Sequence, residues 1–375
     1  MCWCMLNPTK WKNGNPNLNP YMRYFDKKSI DLIQSQSGQA EQAGQIPADW
    51  LNIIYKKNYF RLFVPKHIGG LMMPLPDALR LFDEAGSIDG NLGWALAIGT
   101  GGAYFYAYMQ PDTANKVFNK PESVIAGSGA PTGVAKAVKG GYIVSGSWKY
   151  ASGANYATSF TANGIINERT KAYKAFTFEP SQIKIIKNWD AFGLKATEGH
   201  TMIIENAIVP EAMTFDLTIK EPLYKHAIYQ FPFLQFAELN FGALSLGLCR
   251  HFFAEAYAMI KTNKKTWART EGRLAFVTKL INEKEKAFNT VSDKFYKIAD
   301  SSWKEVVKTG KLNARVQTEV SKTSKKTSRI VLDCMDSVIP YLGMGAMMEG
   351  ATINQIWRDT HTTCQHILLV PFAKV

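Results

Sequence analysis

The sequence predicts an α+β fold in three parts: an N-terminal helical domain, a middle β-barrel domain and a C-terminal four-helix bundle. Apolar residues recur at helical spacing in the first third of the chain. The middle breaks into short runs rich in Val, Ile, Thr and aromatic residues, and helical spacing then returns. The predicted divisions are a disordered tail at 1–20, a helical domain at 21–120, a β-barrel at 121–218 and a bundle at 219–375.

Composition limits the class of protein. A chain of 375 residues has the length of two or three domains. Hydrophobic residues make up 46% of it and charged residues 20%, which excludes disordered, collagen-like and coiled-coil classes for most of the chain. No apolar run reaches the length of about 18 residues that a transmembrane helix needs, so we expect no membrane span.

The cysteines and the N-terminal segment are used to predict the cellular compartment of the protein. The five cysteines are odd in number and include no C-x-x-C pair, which favours a reducing compartment and predicts a cytoplasmic protein. The six histidines and scattered cysteines predict no metal site. The N-terminus lacks the basic start and apolar core of a signal peptide. Residues 7–20 are rich in Asn and Pro, and we expect the ordered chain to start near Met22.

Each predicted part has its own pattern. Leu79, Phe82 and Gly86 show helical spacing, and the small residues of 94–108 would let a helix lie close to a flat surface. In the middle part, Gly140-Gly141 predicts a hairpin turn. In the last part, apolar residues recur every seven positions as Leu239, Leu246, Phe253 and Ile260, which is typical of a bundle helix. Domain junctions favour pockets, so a ligand is expected where barrel meets bundle.

The net charge of 44 − 31 = +13 suits a protein that attracts phosphates, nucleotides or nucleic acid. Lys-rich helices over 261–329 therefore raise a DNA-binding alternative, whose affinity would depend steeply on salt. A solvated basic face is the favoured interpretation, because the sequence has no recognition motif and no interleaving of basic with aromatic residues.

Two segments carry candidate chemistry. Strand alternation over GYIVSGSWKYASG predicts that Trp148, Tyr150 and Ser152 share a face, where a flat aromatic ligand could stack on the indole and meet the hydroxyl. Taken alone, this segment favours the plainer interpretation of a core Trp and a Ser in a turn. Helical spacing over WRDTHTTCQH predicts that Asp359, Thr362 and His366 lie together, so that a carboxylate could raise the pKa of the imidazole for proton transfer. Taken alone, this segment favours a solvated polar face.

Taken together, four stretches in order resemble the acyl-CoA dehydrogenase superfamily over about residues 50–370. They are FRLFVPKHIGG, GYIVSGSWKYASGANYA, GLKATEGHTMIIENAIVPE and the Trp357-Arg358-Asp359 of the last helix. The resemblance implies a helical domain, a β-barrel and a four-helix bundle, a flavin held between barrel and bundle, and a homodimer or homotetramer. Trp148, the Ala-Ser-Gly that follows it and the WRDTHTTCQH ending are similar to the flavin-dependent monooxygenases of the superfamily, as is GSIDGNLGW.

The resemblance implies site residues. Ser152 would hydrogen-bond flavin N5, and His366, oriented by Asp359 or a neighbour, would assist formation of the C4a-hydroperoxide. Trp148, Gly153 and Arg358 would contact the cofactor, as would backbone amides near Gly127-Ser128. Trp94 and Met344 would line the substrate pocket. The cofactor would be FAD or FMN, reduced by a partner flavin reductase.

Departures from the superfamily pattern keep an alternative open. An acyl-CoA dehydrogenase needs a carboxylate base. Its late Glu is replaced here by His366-Ile367, and Glu238 stands one residue out of register with the base that other members carry on the first bundle helix. The R-x-x-F-G segment that grips the adenine half of FAD is replaced by 266–274, which favours FMN or weakly held reduced FAD.

Overall fold

The computed structural model describes residues 23–217 and 221–372, so the predicted tail at 1–20, Cys2 and Cys4 lie outside the described residues. Helices precede and follow one β-sheet. The helices are α1 (Lys27–Ala43), α2 (Ala48–Lys56), α3 (Leu75–Ile88), α4 (Gly90–Ala103), α5 (Pro111–Phe118), α6 (Ala227–Gln230), α7 (Phe233–Trp267), α8 (Arg273–Thr309), α9 (Ala314–Val338) and α10 (Thr352–Cys364). The strands are β1 (Ile125–Val138), β2 (Gly141–Ala151), β3 (Ser159–Asn167), β4 (Ala172–Phe178), β5 (Lys184–Ile186), β6 (His200–Pro210) and β7 (Thr214–Phe215).

Helix α4 lies against the sheet, as its small residues predict. Asp89 directly precedes this helix and caps it, because its carboxylate accepts hydrogen bonds from the amides of the first turn. A side chain at Gly102 would come within 2.8 Å of Ile125 at the start of β1, and one at Gly99 within 2.6 Å of Phe60. These glycines therefore let α4 approach the strand and its neighbours closely.

The strands form one sheet in the order β5-β6-β2-β1-β3-β4-β7. The sheet is open, so the predicted β-barrel is not confirmed. Its two edge strands are only three and two residues long and do not pair with each other, which leaves the cylinder unclosed. The hairpin between β1 and β2 is confirmed: Val138 pairs with Gly141, and Gly140 takes the left-handed φ of +83° that a tight turn requires.

The helices that precede the sheet in the chain and those that follow it share one apolar core. Leu239, Leu246 and Phe253 of α7 are buried, as their spacing predicts. Gly86 of α3 lies so close to α7 that a side chain there would come within 2.8 Å of Leu244. The core is therefore continuous between the N-terminal and C-terminal helices, while the sheet encloses a smaller core of its own. The α+β class is confirmed, and the division into three domains with a four-helix bundle stays a prediction.

Among the described residues, none of the helices combines the length and the apolar character needed to cross a bilayer.

Candidate functional site

Four side chains from distant parts of the chain meet where the sheet adjoins the helices. Trp94 of α4 donates a hydrogen bond from Nε1 to Ser152 Oγ, just after β2, at 3.0 Å. The Trp94 ring stacks on Phe241 of α7 with centroids 5.3 Å apart, and the His366 ring lies 4.4 Å from Phe241 and 6.0 Å from Trp94. We call these four residues the junction cluster. The predicted site residues Trp94, Ser152 and His366 are thus brought together.

An irregularity at the end of β2 places Ser152. Pairing with β6 shifts register between Trp148 and Ala151, and Tyr150 takes a left-handed φ of +68° that is uncommon for a residue with a side chain. Gly153, with φ +81°, donates its amide to Thr197 O at 2.9 Å. The strand therefore turns sharply here and presents Ser152 to α4.

The same irregularity overturns the predicted shared face. Trp148 is 0% exposed and Tyr150 is 69% exposed, so the two side chains lie on opposite sides. Trp148 fills the interior of the sheet and donates its Nε1 to Asn163 O at 3.0 Å. An indole enclosed in this way has no free face for a ligand, so the expected stacking of a cofactor on Trp148 is wrong.

His366 lies beyond the end of α10 and therefore does not continue the helical face predicted for it. Its Nδ1 accepts a hydrogen bond from the Leu368 amide at 3.3 Å, which leaves the proton of the neutral ring on Nε2. Burial lowers the pKa of His366 to about 4. The ring is therefore a neutral donor at neutral pH, contrary to the raised pKa expected from a carboxylate neighbour.

Asp359 contacts other groups than the imidazole. Its Oδ1 accepts from the Leu194 amide at 2.5 Å, and its Oδ2 lies 3.5 Å from Asn91 Nδ2. Burial raises the pKa of Asp359 well above its ordinary value, and the nearby carboxylate of Asp89 raises it further. The expectation that Asp359 orients His366 and lies on a shared face with it is therefore wrong.

The remaining predicted residues lie in different surroundings. Gly127 and Ser128 are half-buried on β1, at the end of its first run of pairing with β3. Arg358 is 4% exposed, and its guanidinium contacts Glu41, Asn354 Oδ1 at 2.8 Å and Phe192 O at 3.1 Å. These contacts tie α10 to α1 and engage the Arg358 side chain within the protein.

Met344 is 75% exposed on a turn after α9, and its place in the wall of a substrate pocket stays a prediction.

The sequence did not single out Phe241, although it contacts both Trp94 and His366. It lies within the apolar stripe of α7 and is 5% exposed, so its residue type and spacing are those of an ordinary core position. No sequence signal separates it from its neighbours. Its role becomes visible only when α4 and the segment after α10 pack against α7.

Glu238, the candidate for a dehydrogenase base, contacts Lys325 and Ser321 of α9. It is 0% exposed between α7 and α9, where its Oε1 lies 3.2 Å from Lys325 Nζ and its Oε2 accepts from the Ser321 hydroxyl. The junction cluster itself contains no carboxylate.

The junction cluster suits a flat heteroaromatic ring. Trp94 and Phe241 offer aromatic surface. The Ser152 hydroxyl accepts from the indole and keeps its own hydrogen for an acceptor. Within the described part of the chain, His366 Nε2 makes no hydrogen bond, which leaves one polar donor free beside the rings. These donors match the polar atoms of an isoalloxazine ring, and the stacked rings of Trp94 and Phe241 would have to separate to admit it.

Comparison with known proteins agrees. Residues 239–371 match the family "acyl-CoA dehydrogenase, C-terminal domain". An indole-3-acetate monooxygenase of Pseudomonas putida is 23% identical over 346 residues, which cover 90% of this chain and 87% of that protein. The oxygenase subunit HsaA of a flavin-dependent monooxygenase from Rhodococcus jostii is 25% identical over 184 residues, which cover 48% of each chain.

Solved structures share the fold. The HsaA monooxygenase of M. tuberculosis superposes with a TM-score of 0.83 at 19% identity, covering 91% of this chain and 94% of that one. XiaF from Streptomyces, solved in complex with FADH2 and glycerol, gives a TM-score of 0.78 at 15% identity, covering 92% and 90%. The resemblance of this chain to the acyl-CoA dehydrogenase superfamily, and within it to the flavin-dependent monooxygenases, is therefore confirmed.

Proposed function

We propose that this chain is the oxygenase component of a two-component flavin-dependent monooxygenase. It takes reduced flavin from a separate reductase and transfers one atom of dioxygen to a small organic substrate. The observation that carries the proposal is the junction cluster, in which a serine hydroxyl, a neutral imidazole and two stacked aromatic rings meet between sheet and helices. Relatives whose names include "oxygenase component" or "oxygenase subunit" support the two-component arrangement.

The residues of the cluster take distinct roles. Reduced flavin, when bound, supplies the electrons that activate dioxygen. Ser152 holds the ring through its hydroxyl, whose orientation is restricted by the hydrogen bond from Trp94. His366 offers its Nε2 proton and stays neutral across the physiological range because burial lowers its pKa to about 4. Trp94 and Phe241, which are 8% and 5% exposed, keep water away from the reacting atoms.

Further cofactor contacts are proposed at the sheet. Gly153 adjoins Ser152 in the same turn, and Gly127 and Ser128 lie half-buried on the strand that α4 packs against. We retain these three as cofactor contacts. Arg358 instead acts within the protein, because its guanidinium is occupied by Glu41 and its neighbours.

We propose an aromatic substrate. The names of the relatives include indole-3-acetate, resorcinol and p-hydroxyphenylacetate, and the cluster presents three ring side chains. Either FAD or FMN is compatible with this proposal, since structures similar in fold contain FADH2 in one case and FMN in another. We further propose a homodimer or homotetramer. The cytoplasmic location stays a prediction.

The dehydrogenase alternative receives no support from the geometry. Proton abstraction next to a thioester needs a free, positioned carboxylate. Glu238 is paired with Lys325, and neither residue belongs to the junction cluster. The cluster therefore favours oxygenation over dehydrogenation.

The proposal is tested by supplying the purified protein with a flavin reductase, NADH, FAD or FMN, and a panel of indoles and phenols under ¹⁸O₂. We expect one ¹⁸O atom in the product from at least one aromatic substrate. In a parallel anaerobic assay, FAD-loaded protein is mixed with butyryl-CoA and octanoyl-CoA. Bleaching of the flavin by a thioester, without incorporation of ¹⁸O into any substrate, would contradict the proposal and favour a dehydrogenase.

A further inference from the structure

We infer that Asp359 and Asn91 are positioning residues that hold the backbone segment 194–198 and, through it, the turn that carries Ser152. The inference rests on the proposed function, because it explains how the serine is fixed against the rest of the junction cluster.

Two hydrogen bonds tie segment 194–198 to the helices. Leu194 donates its amide to Asp359 Oδ1 of α10 at 2.5 Å, and Ala196 donates its amide to Asn91 Oδ1 of α4 at 3.0 Å. Asn91 Nδ2 in turn lies 3.5 Å from Asp359 Oδ2. One side of the segment is therefore held by two buried side chains that also contact each other.

The other side of segment 194–198 supports the serine turn. Thr197 O accepts the Gly153 amide at 2.9 Å. The segment thus connects the helices to the turn directly after Ser152.

The backbone of segment 194–198 adopts a conformation that it does not favour on its own. Leu194 and Glu198, which flank its single helical turn, both have a φ of +54°, in the left-handed region that residues with side chains avoid. Such residues persist only where their surroundings hold them. The Asp359 and Asn91 contacts supply part of this hold, together with the Trp189 indole, whose Nε1 donates to Leu194 O at 2.9 Å.

Two glycines allow the backbone to pack closely around Asp359. A side chain at Gly193 would collide with Arg358 O and come within 2.6 Å of the Asp359 amide. A side chain at Gly90 would come within 2.6 Å of Asp359 Oδ2. The two glycines therefore let α4, α10 and the segment converge on one carboxylate.

The same two polar residues belong to the helices that carry the rest of the cluster. Asn91 lies in the first turn of α4, three residues before Trp94, and α10 leads directly to His366. The polar contacts therefore fix Ser152 relative to Trp94 and His366, which come from three separate elements.

Hydrogen exchange in the unliganded full-length protein tests the inference without flavin. We expect Asp359→Ala to accelerate amide exchange about tenfold or more in residues 151–157, a peptide that Asp359 does not touch, because the Gly153 amide loses its fixed acceptor. Asp359→Asn keeps an oxygen for the Leu194 amide and should restore most of the protection. The matched control is Thr360→Val: Thr360 is equally buried on α10, but its hydroxyl bonds only to Ile356 O of its own helix, at 2.7 Å.

Function supplies the second readout. With reduced flavin and substrate, Asp359→Ala should release several times more hydrogen peroxide per product than the parent, and Asp359→Asn should recover the parent ratio.

Parent-like exchange over 151–157 in Asp359→Ala overturns the inference, as does equal acceleration in Thr360→Val. If Asp359→Ala does not fold, Asn91→Ala takes its place with the same expected exchange and the same contrary outcome. A parent protein that neither binds reduced flavin nor oxygenates any substrate contradicts the proposed function alone, since the exchange result is independent of flavin.

Discussion

The interior of the sheet and the junction cluster each contain a buried tryptophan, but the two indoles make different kinds of contact. Trp148 is 0% exposed, and its indole donates to a backbone carbonyl of a neighbouring strand. Trp94 is 8% exposed, and its indole donates to the side chain of Ser152 while its ring stacks on Phe241. The indole N–H of Trp148 is satisfied by the backbone, whereas Trp94 contacts side chains that could act on a ligand.

The contrast extends to the neighbours of each ring. Trp148 packs where Gly133 and Gly146 leave space, in the hydrophobic core of the sheet. Trp94 has a hydroxyl and a titratable imidazole beside it. A buried aromatic residue therefore indicates a site only when polar side chains from other elements meet it.

The largest expected effect is on the free energy of unfolding, which should distinguish Trp148 from Trp94. Trp148→Ala should lower the free energy of unfolding by about 3–5 kcal/mol, because it empties the centre of the sheet core. Trp94→Phe keeps a ring against Phe241 and should cost less than about 1.5 kcal/mol. Urea unfolding followed by circular dichroism measures both. Equal losses would remove the distinction between core and site.

The junction cluster should dominate activity instead. Ser152→Ala and His366→Ala should each reduce product formed per reduced flavin by about tenfold to a hundredfold, the usual range for losing one hydrogen bond or proton donor at a reacting centre. Their unfolding free energies should change little by comparison. The assay measures product and hydrogen peroxide after single-turnover mixing with oxygen. Parent-like coupling in His366→Ala would remove the assigned role of the imidazole.

Within the junction cluster, His366 makes stability depend on pH. The pKa of His366 is about 4 in the folded chain and about 6.5 when unfolded, so the unfolded state binds more protons between these values and stability falls as pH drops through that window. From pH 7 to pH 5 the parent should lose about 2 kcal/mol more than His366→Gln. Urea unfolding at the two pH values tests this. Identical pH dependence in both proteins would mean that the imidazole is not shielded from water.

The smallest effect concerns the link between Trp94 and Ser152. If the indole acts by orienting the hydroxyl, Trp94→Phe should impair coupling in the parent but not in a Ser152→Ala background, with an interaction energy of about 0.5–1.5 kcal/mol. Product per reduced flavin in the two single variants and the double variant completes the cycle. Additive losses would show that Trp94 acts independently of the serine.

The sequence predicts the parts of this architecture that depend on local pattern. The seven-residue spacing from Leu239 to Phe253 identifies the core face of α7, and motif resemblance selects Ser152 and His366. Closure of the sheet depends on pairing between strands that are far apart in sequence, which short runs of apolar residues do not determine.

Local pattern fails where distant contacts or unusual backbone decide the outcome. Alternation over β2 is broken by the left-handed Tyr150, which separates Trp148 from the serine. A helical wheel cannot show that Asp359 meets the amide of Leu194, which is 165 residues away. These features depend on packing between elements, so they become visible only in three dimensions.

The most direct test of the central claim is a crystal structure of the protein soaked anaerobically with reduced flavin. The account predicts the isoalloxazine ring at the junction cluster, with the Ser152 hydroxyl within hydrogen-bond distance of about 3 Å and the His366 ring beside it. Flavin bound elsewhere, with Trp94, Ser152, Phe241 and His366 still closed on one another, would contradict it.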